Sequence, residues 1–436
     1  MKLFKALLPI TSFITIYFIL AILMDDFYKV PILPILLLSL GIALITRRDL
    51  TLENKLQAFS KSAGNDLIIT MLLIFLLSGI FSTLGSETGA LKTLIYWIQA
   101  VVPPSLFLAG IFVFSCVLSM SIGTSVGTIV ALAPLVGEIE FAASSDAYFL
   151  LGAIIGGAMF GDNLSFISDT TVAVTKTHEI PMQAKFRSNF GLVLPAALIT
   201  LCFYIWKPFD TLTLASDEVI PFNLSNLIAV SPYILVLVLA FTRLNLLLTL
   251  SIGVIGFMIT GLTVTDSTFS DIVLAANKGA IDLTELSIIA LLLGGLSGLV
   301  GLYGGFELLL EKLKGNSNSQ KRAGLNILGL SAAVNTLLAN NTLAIIIVGP
   351  LAKDISEHNG IQMKRSASLV DTITCSIQGI LPYGAQMLLA VALCGKSIST
   401  FDLVPYVIYP ILIGVSSVLF VIFTFPGKNK LDKSQN

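Results

Sequence analysis

Two carboxylates lie within an apolar stretch in the first half of the chain. Residues 161–171 read Gly-Asp-Asn-Leu-Ser-Phe-Ile-Ser-Asp-Thr-Thr and follow a run, 149–160, that is wholly apolar or glycine. A charged group within a membrane costs at least about 2.5–3.5 kcal/mol and usually faces a partner, an ion or a water-filled path. The segment therefore predicts that the chain moves something small and charged across a membrane. Its candidate binding residues are Asp162, Asn163, Ser165, Ser168, Asp169 and Thr170.

Three further apolar segments contain polar centres, at residues 119–128, 335–342 and 366–394. Their hydroxyl, amide, carbonyl and carboxylate oxygens suit a small hard cation, and they contain no histidine and no cysteines at metal-ligand spacing that would favour a soft transition metal. We therefore expect no resident metal or cofactor, and treat the ion as cargo. The candidate residues in these centres are Thr124, Ser125, Asn340, Asn341, Thr342, Asp371 and Gln378.

Several of these residues also have a structural interpretation, which the sequence leaves open. Asp169 is a suitable N-cap for a helix that begins after a break, and aspartate caps helices well. Asn340 and Asn341 could close a turn, and Asp371 could form hydrogen bonds between helices. His178, which lies between charged residues at a predicted helix end, is expected to be a surface histidine.

The composition is that of an integral membrane protein. Of the 436 residues, 55% are hydrophobic and only 12% are charged, whereas soluble domains average about 25% charged residues. The net charge of −1 gives no reason to expect a nucleic-acid partner. An apolar run that reaches Met24 is expected to be an uncleaved first span, in contact with the lipid bilayer.

About ten membrane crossings are predicted, because a spanning helix needs about 20 mostly apolar residues. If segments 104–136 and 323–351 are re-entrant hairpins, 20 of the 25 Lys and Arg residues lie on the cytoplasmic side; if both segments span, the division is 14 to 11. The positive-inside rule favours the hairpins, with both termini cytoplasmic. The continuous spans are expected at 7–24, 30–46, 67–84, 186–206, 224–241, 244–262, 286–302 and 403–425, and two broken helices at 148–175 and 366–394.

The two halves of the chain resemble each other. Leu77-Ser78-Gly79 recurs as Leu296-Ser297-Gly298, and the hairpins and broken helices recur in the same order. Five crossings in each half would make the second half enter from the opposite side, which is the inverted-repeat plan of secondary transporters. We therefore expect an all-α polytopic membrane protein. Residues 1–206 would form the first repeat, 207–223 a linker and 224–436 the second, each with about five transmembrane helices, one re-entrant hairpin and one broken helix.

Four ordered blocks resemble the NhaC family of sodium/proton antiporters. They are Gly-Thr-Ser-Val-Gly-Thr at 123–128, the segment 161–171, Ala-Asn-Asn-Thr-Leu-Ala-Ile at 339–345, and Gln-Gly-Ile-Leu-Pro-Tyr-Gly-Ala-Gln at 378–386. The resemblance implies cation-coupled exchange and a two-repeat fold. Some members, including malate/lactate exchangers, have proline where this chain has Phe166.

The leading hypothesis is a secondary active transporter of the bacterial inner (plasma) membrane that exchanges Na⁺ for H⁺ by alternating access. The alternative is a cation-coupled exchanger of small organic anions or amino acids on the same fold. Deep segments that are nearly free of Arg and Lys disfavour tight binding of an organic carboxylate. No nucleotide-binding loop or catalytic set indicates an enzyme. The oligomeric state, with a homodimer as one alternative, is left open.

Overall fold

The computed structural model describes residues 2–24, 30–141, 144–207, 212–214, 220–242, 244–313, 319–396 and 398–426. Within these residues nearly all regular structure is helical. Eight helices or helix pairs are long and apolar enough to cross a membrane, or nine if a bent pair near the C-terminus is one span. The chain is therefore a polytopic, predominantly helical membrane protein, as its composition predicts.

Within the described residues, the first half of the chain contains ten helices. They are α1 (Lys2–Leu23), α2 (Ile32–Ile45), α3 (Leu52–Ala63), α4 (Asp66–Glu87), α5 (Ala90–Val101), α6 (Pro104–Ile122), α7 (Ser125–Gly137), α8 (Ser144–Leu164), α9 (Asp169–His178) and α10 (Met182–Trp206). Thr51 immediately precedes the amphipathic α3. Its side chain accepts a hydrogen bond from the Asn54 amide and so caps the helix.

The second half follows the same order with an additional short helix near its end. Its helices are α11 (Leu224–Ala240), α12 (Leu246–Val264), α13 (Phe269–Asp282), α14 (Thr284–Leu302), α15 (Gly305–Leu313), α16 (Gln320–Leu338), α17 (Asn341–Asn359), α18 (Met363–Ile380), α19 (Ala385–Cys394), α20 (Thr400–Leu403) and α21 (Ile408–Thr424), with a 3₁₀ turn at Val404–Tyr406.

Within the described residues, the all-α architecture also contains one short pair of strands. Strand β1 (Ile139–Phe141) pairs antiparallel with β2 (Leu212–Leu214). The pairing satisfies backbone groups just after α7 and just after α10, where no helix continues. The second strand falls inside the predicted linker 207–223, most of which lies outside the described residues.

Within the described residues, four helix pairs are separated by short interruptions. The interruptions between α6 and α7 and between α16 and α17 share a backbone geometry. Between α6 and α7, Gly123 has a φ of 78°, and between α16 and α17, Ala339 has a φ of 48°. Both residues lie in the left-handed region, which glycine adopts at little cost and alanine does not. The other two interruptions, between α8 and α9 and between α18 and α19, each span four residues.

Glycines allow α8 to approach α6 closely. A Cβ atom added to Gly157 would lie 2.4 Å from Cβ of Ser115, and one added to Gly161 would lie 2.2 Å from Cβ of Ser119. Small residues four apart on one helix face are a common device for bringing membrane helices together. This packing places the end of α8 directly beside the interruption between α6 and α7.

Candidate cation-binding site

A cavity of about 90 Å³ lies where four helices begin. Helices α7, α9, α17 and α19 each start at an interruption, and residues from all four starts line the cavity. Its volume holds a few water molecules or a partly hydrated ion, since a water occupies about 30 Å³ in the liquid. Most of the residues predicted from the sequence line it: Thr124, Ser125, Asp162, Ser168, Asp169, Thr170, Asn340, Asn341, Thr342 and Gln378.

Asp162 is the buried carboxylate of this cavity. Its side chain is 4% exposed. Oδ1 accepts a hydrogen bond from the backbone N–H of Ser125 at 3.0 Å, and the Ser168 hydroxyl lies 3.4 Å from the same oxygen. The first amides of α7 carry partial positive charge, which offsets part of the negative charge of the carboxylate. Asp162 is therefore held at a fixed place while the rest of the carboxylate remains available to the cavity.

Asp169 occupies a more open position in the same cavity. It is exposed and is the first residue of α9, whereas the N-cap position belongs to Ser168. The interpretation of Asp169 as the N-cap is therefore wrong by one residue. Its negative charge still lies in the first turn of a helix, where it is electrostatically favourable. The cavity thus contains one buried carboxylate and one accessible carboxylate.

The second half of the chain supplies amides to the cavity. Asn340 caps α17, because its Oδ1 accepts from the amide of Leu343 at 3.0 Å. Gln378 donates from Nε2 to the carbonyl of Ala339 at 3.0 Å and to Oε1 of Gln386 at 2.7 Å. Its own Oε1 is buried and has no hydrogen-bond partner within the described part of the chain. That oxygen is a neutral hydrogen-bond acceptor whose lone pairs are unused within the described residues.

A hydrogen-bond relay joins this amide group to Asp162. Gln386, which was not predicted, donates from Nε2 to the Ser125 hydroxyl at 3.1 Å. The backbone N–H of Ser125 in turn binds Asp162. The amide and carboxylate sides of the cavity therefore belong to one network that crosses from the second half of the chain to the first.

Three predicted residues lie behind the cavity and do not line it. Asn163 donates to the carbonyl of Met159 and to the hydroxyl of Tyr409, and Ser165 donates to the carbonyl of Met120. Asp371 is fully buried and accepts a 2.6 Å hydrogen bond from Asn189. In this conformation these three side chains anchor the broken helices.

A buried lysine was missed by the sequence reasoning. Lys185, near the start of α10, is 1% exposed, and its Nζ lies 3.0 Å from Oδ2 of Asp371. The sequence places this lysine in a cytoplasmic loop, before the predicted span 186–206. Its burial corrects the expectation that the deep segments are nearly free of Lys and Arg. Its one available signal is its spacing: Lys185 and Asn189 are four residues apart, so they share one face of α10.

The expectation that His178 lies at the surface is wrong. Its ring is 1% exposed, with Nδ1 3.1 Å from the carbonyl of Val174 and Nε2 3.1 Å from the hydroxyl of Ser366. The charged neighbours in sequence point elsewhere, because Glu179 forms an ion pair with Lys353. His178 thus packs α9 against α18.

An oxygen-lined cavity with ionisable groups, enclosed by interrupted helices of a polytopic membrane protein, defines a secondary transporter for a small cation. The model of the Na⁺/H⁺ antiporter family matches residues 4–181 and 157–428, nearly the whole chain. The chain therefore belongs to the Na⁺/H⁺ antiporter family. The sequence-based predictions of a Na⁺/H⁺ antiporter of the NhaC type, and of a transporter that is not an enzyme, are confirmed.

Individual relatives have low sequence identity to this chain, but the alignments cover most of both proteins. The chain is 25% identical over 384 residues to the Na⁺/H⁺ antiporter NhaC of Bacillus subtilis (strain 168), covering 80% of this chain and 83% of that protein. It is 24% identical over 370 residues to the malate-2H⁺/Na⁺-lactate antiporter of the same organism, covering 78% and 77%. The crystal structure of the Alcanivorax borkumensis YdaH transporter matches with a TM-score of 0.44 and 12% identity, over 84% of this chain and 86% of that one. A likeness of that extent defines neither fold nor substrate.

Proposed function

We propose that Na⁺ and H⁺ compete for the cavity formed by the four helix starts, and that this competition is the basis of exchange. The supporting observation is that two carboxylates and several neutral oxygens line one small cavity. A bound cation favours the ionised form of a neighbouring carboxylate, and protonation removes the charge that holds the cation. Asp162 would be the central exchanging group, with Asp169 as the second carboxylate.

The neutral ligands would come mainly from the second half of the chain. Gln378 contributes an oxygen without a partner among the described residues, and Asn341 and Thr342 lie at the opposite helix start. Carboxylate, amide and hydroxyl oxygens are the ligands that hard cations prefer. Binding would therefore draw the two halves of the chain together around the ion.

Alternating access would follow from two inverted repeats, residues 1–206 and 224–436. The supporting observation is that structural features recur at an offset of 216 residues (339 − 123). Gly123 and Ala339 share the left-handed conformation, and Thr124 and Asn340 both precede the following helix. At the same offset, the Ser119 hydroxyl donates to the carbonyl of residue 158, and the Asn335 amide donates to that of residue 374.

The pairs α6–α7 and α16–α17 would be re-entrant hairpins. For the second pair, Gln320 at the start of α16 donates from Nε2 to the carbonyl of Gly360, just after α17, at 2.8 Å. This bond supports the idea that both ends of the pair lie on one side of the membrane. With the first residues inside, both termini would be cytoplasmic, in the inner membrane of a bacterium.

The topology can be tested by single-cysteine labelling in a cysteine-free background. Cysteines introduced at Lys321 and Lys353, one on each helix of the second hairpin, should react with a reagent added on the cytoplasmic side. Cysteines introduced at Lys92 and Ser144 should react from the outside. Labelling of Lys321 and Lys353 from opposite faces would exclude the hairpin.

Reconstitution tests the exchange itself. Purified protein in liposomes with an imposed pH gradient should dissipate that gradient when Na⁺ is added, with Li⁺ and K⁺ as selectivity controls. A second arm with malate and lactate tests the alternative of organic-anion exchange. The similarity to a malate-2H⁺/Na⁺-lactate antiporter supports that alternative, and so does the partial positive charge of the four helix starts, which favours anions. The two carboxylates in the cavity oppose it, because they would repel an organic anion. Gradient dissipation that requires an organic acid would replace our proposal by the alternative.

A further inference from the structure

The ammonium group of Lys185 lies on the far side of the α8–α9 interruption from the cavity. It donates to the backbone carbonyl of Asn163 at 2.7 Å and to the hydroxyl of Thr171 at 2.7 Å, and it lies 3.0 Å from Oδ2 of Asp371. A lysine ammonium has three donors. All three are therefore satisfied by partners on three separate helices, α8, α9 and α18.

The partners of Lys185 are direct sequence neighbours of cavity residues. Asn163 follows Asp162, and Thr171 follows Thr170, while Asp162 and Thr170 line the cavity. The interruption thus has two sides, one directed at the cavity and one held by the ammonium. The carbonyl that the ammonium binds lies one peptide unit beyond Asp162 in the same helix. A displacement of this end of α8 on the ammonium side is therefore expected to move the Asp162 carboxylate as well.

The same ammonium also contacts α18, through Asp371. Asp371 and Gln378 are seven residues apart, which is close to two helical turns, so they lie on the same side of α18. Asp371 is bound to Lys185, and Gln378 is one of the residues that line the cavity. Asn189 reinforces the link, because its Nδ2 donates both to Asp371 at 2.6 Å and to the carbonyl of Asn163 at 2.8 Å.

We infer that Lys185 and Asp371 are positioning residues for the cation cavity, which hold the carboxylate of Asp162 and the amide oxygen of Gln378 at the spacing that a cation requires. This inference rests on the proposed function of the cavity. An apolar pair could pack three helices at less electrostatic cost, since replacing a buried ion pair by well-packed apolar residues is often neutral or stabilising. The pair joins elements that carry cavity residues, which is what a positioning role requires.

The test is the charge-free double variant Lys185→Met with Asp371→Asn, compared with its two single variants. Each single variant leaves one buried charge without its partner and is expected to lower the melting temperature. The double variant is expected to regain most of that loss. Its apparent KM for Na⁺, measured in proteoliposomes, should nevertheless be raised about 10- to 100-fold, as for other residues that orient ion ligands.

A matched control uses a second ion pair, at the opposite end of α10. Lys207, just after α10, lies 3.3 Å from Asp146 in the first turn of α8, and neither residue lines the cavity. The double variant Lys207→Met with Asp146→Asn should keep the wild-type KM. A wild-type KM in the folded Lys185/Asp371 double variant, or an equal rise in this control, overturns the inference.

A single uncharged change keeps the inference testable if the double variant does not fold. Thr171→Val removes one acceptor of the ammonium with little change in size and none in charge, and should raise the KM several-fold while the protein remains folded. An unchanged KM there also overturns the inference. Asp162→Asn in the same assay separates the two proposals. Exchange that survives Asp162→Asn refutes the proposed ion site itself. Loss of exchange in Asp162→Asn together with an unchanged KM in the Lys185/Asp371 double variant refutes only the positioning role.

Discussion

The sharpest test of the cavity is Asp162→Asn, because the structure predicts opposite effects on exchange and on stability. The asparagine has nearly the same shape, and its oxygen can still accept the hydrogen bond that the Ser125 amide donates at 3.0 Å. What disappears is the negative charge and the ability to give up a proton. Coupled exchange should therefore be lost while the fold is kept.

The loss of cation affinity can be worked from Coulomb's law. Two unit charges about 4 Å apart interact by about 4 kcal/mol at an effective dielectric constant of about 20. Since each 1.4 kcal/mol is tenfold, Na⁺ affinity should fall by about three orders of magnitude. For stability, a hydrogen bond to a charged acceptor is worth about 1 kcal/mol more than a neutral one. The burial of an ion costs several kcal/mol, so the variant should be at least as stable as wild type.

The assay is Na⁺-induced dissipation of a pH gradient in proteoliposomes, with the melting temperature measured on the same preparation. Asp146→Asn is the matched control, since Asp146 is also a buried aspartate of α8 but pairs with Lys207 away from the cavity. We expect the control to exchange normally and Asp162→Asn to be inactive and folded. Wild-type exchange in Asp162→Asn would refute the proposed competition and leave Asp162 as a cap of α7.

Three further predictions concern other parts of the molecule. Asn341→Ala should weaken Na⁺ affinity about fivefold, or about 1 kcal/mol, at unchanged stability; wild-type affinity would remove that side chain from the site. Gly79→Ala should lower the yield of folded protein, because a Cβ there would lie 2.0 Å from a backbone carbonyl of α13 and overpacking costs about 1–3 kcal/mol. Gly41→Ala is its control: a Cβ there meets no atom within 4 Å, so the melting temperature should be unchanged or raised. The pKa of Glu179 lies below its ordinary 4.5, because Lys353 donates a hydrogen bond to it, so the pair stabilises the fold above pH 4.5 and is lost as the pH falls through the lowered pKa. The melting-temperature difference between wild type and Glu179→Gln should therefore vanish in acid; a difference that grew in acid would contradict this.

The interruptions and their polar residues could be predicted because their signals are local. Glycine at 123, and asparagine at 340 and 341, are unusual in apolar segments and directly mark a break or a helix start. The cavity lining follows from the same local reasoning, once the breaks are assumed to converge. Ten of the thirteen predicted residues line one cavity, whereas Asn163, Ser165 and Asp371 lie behind it.

Lys185 and His178 could not be placed in this way, because both lie at the boundary between an apolar run and a charged loop. From a single sequence, such a position is assigned to solvent, since lysine is rarely buried without a partner. The partners that reverse this assignment are distant: Asp371 for Lys185, and Ser366 for His178. Burial of a charged residue depends on tertiary contacts that no local window contains.

The proposed duplication gives the cavity a marked asymmetry in charge. At the offset that relates the interruptions, Asp162 corresponds to Gln378 and Asp169 to Ala385. Both carboxylates therefore belong to the first half, and the second half supplies neutral oxygens. A fully symmetric cavity would contain four carboxylates, and each unneutralised one would add several kcal/mol of burial cost after the cation left. With both carboxylates on one side, protonation of the first half alone discharges the cavity, and the second half can separate from it without carrying a buried charge. Under the proposed competition mechanism, that arrangement would let the empty, protonated transporter change its access as readily as the loaded one, which coupled exchange requires.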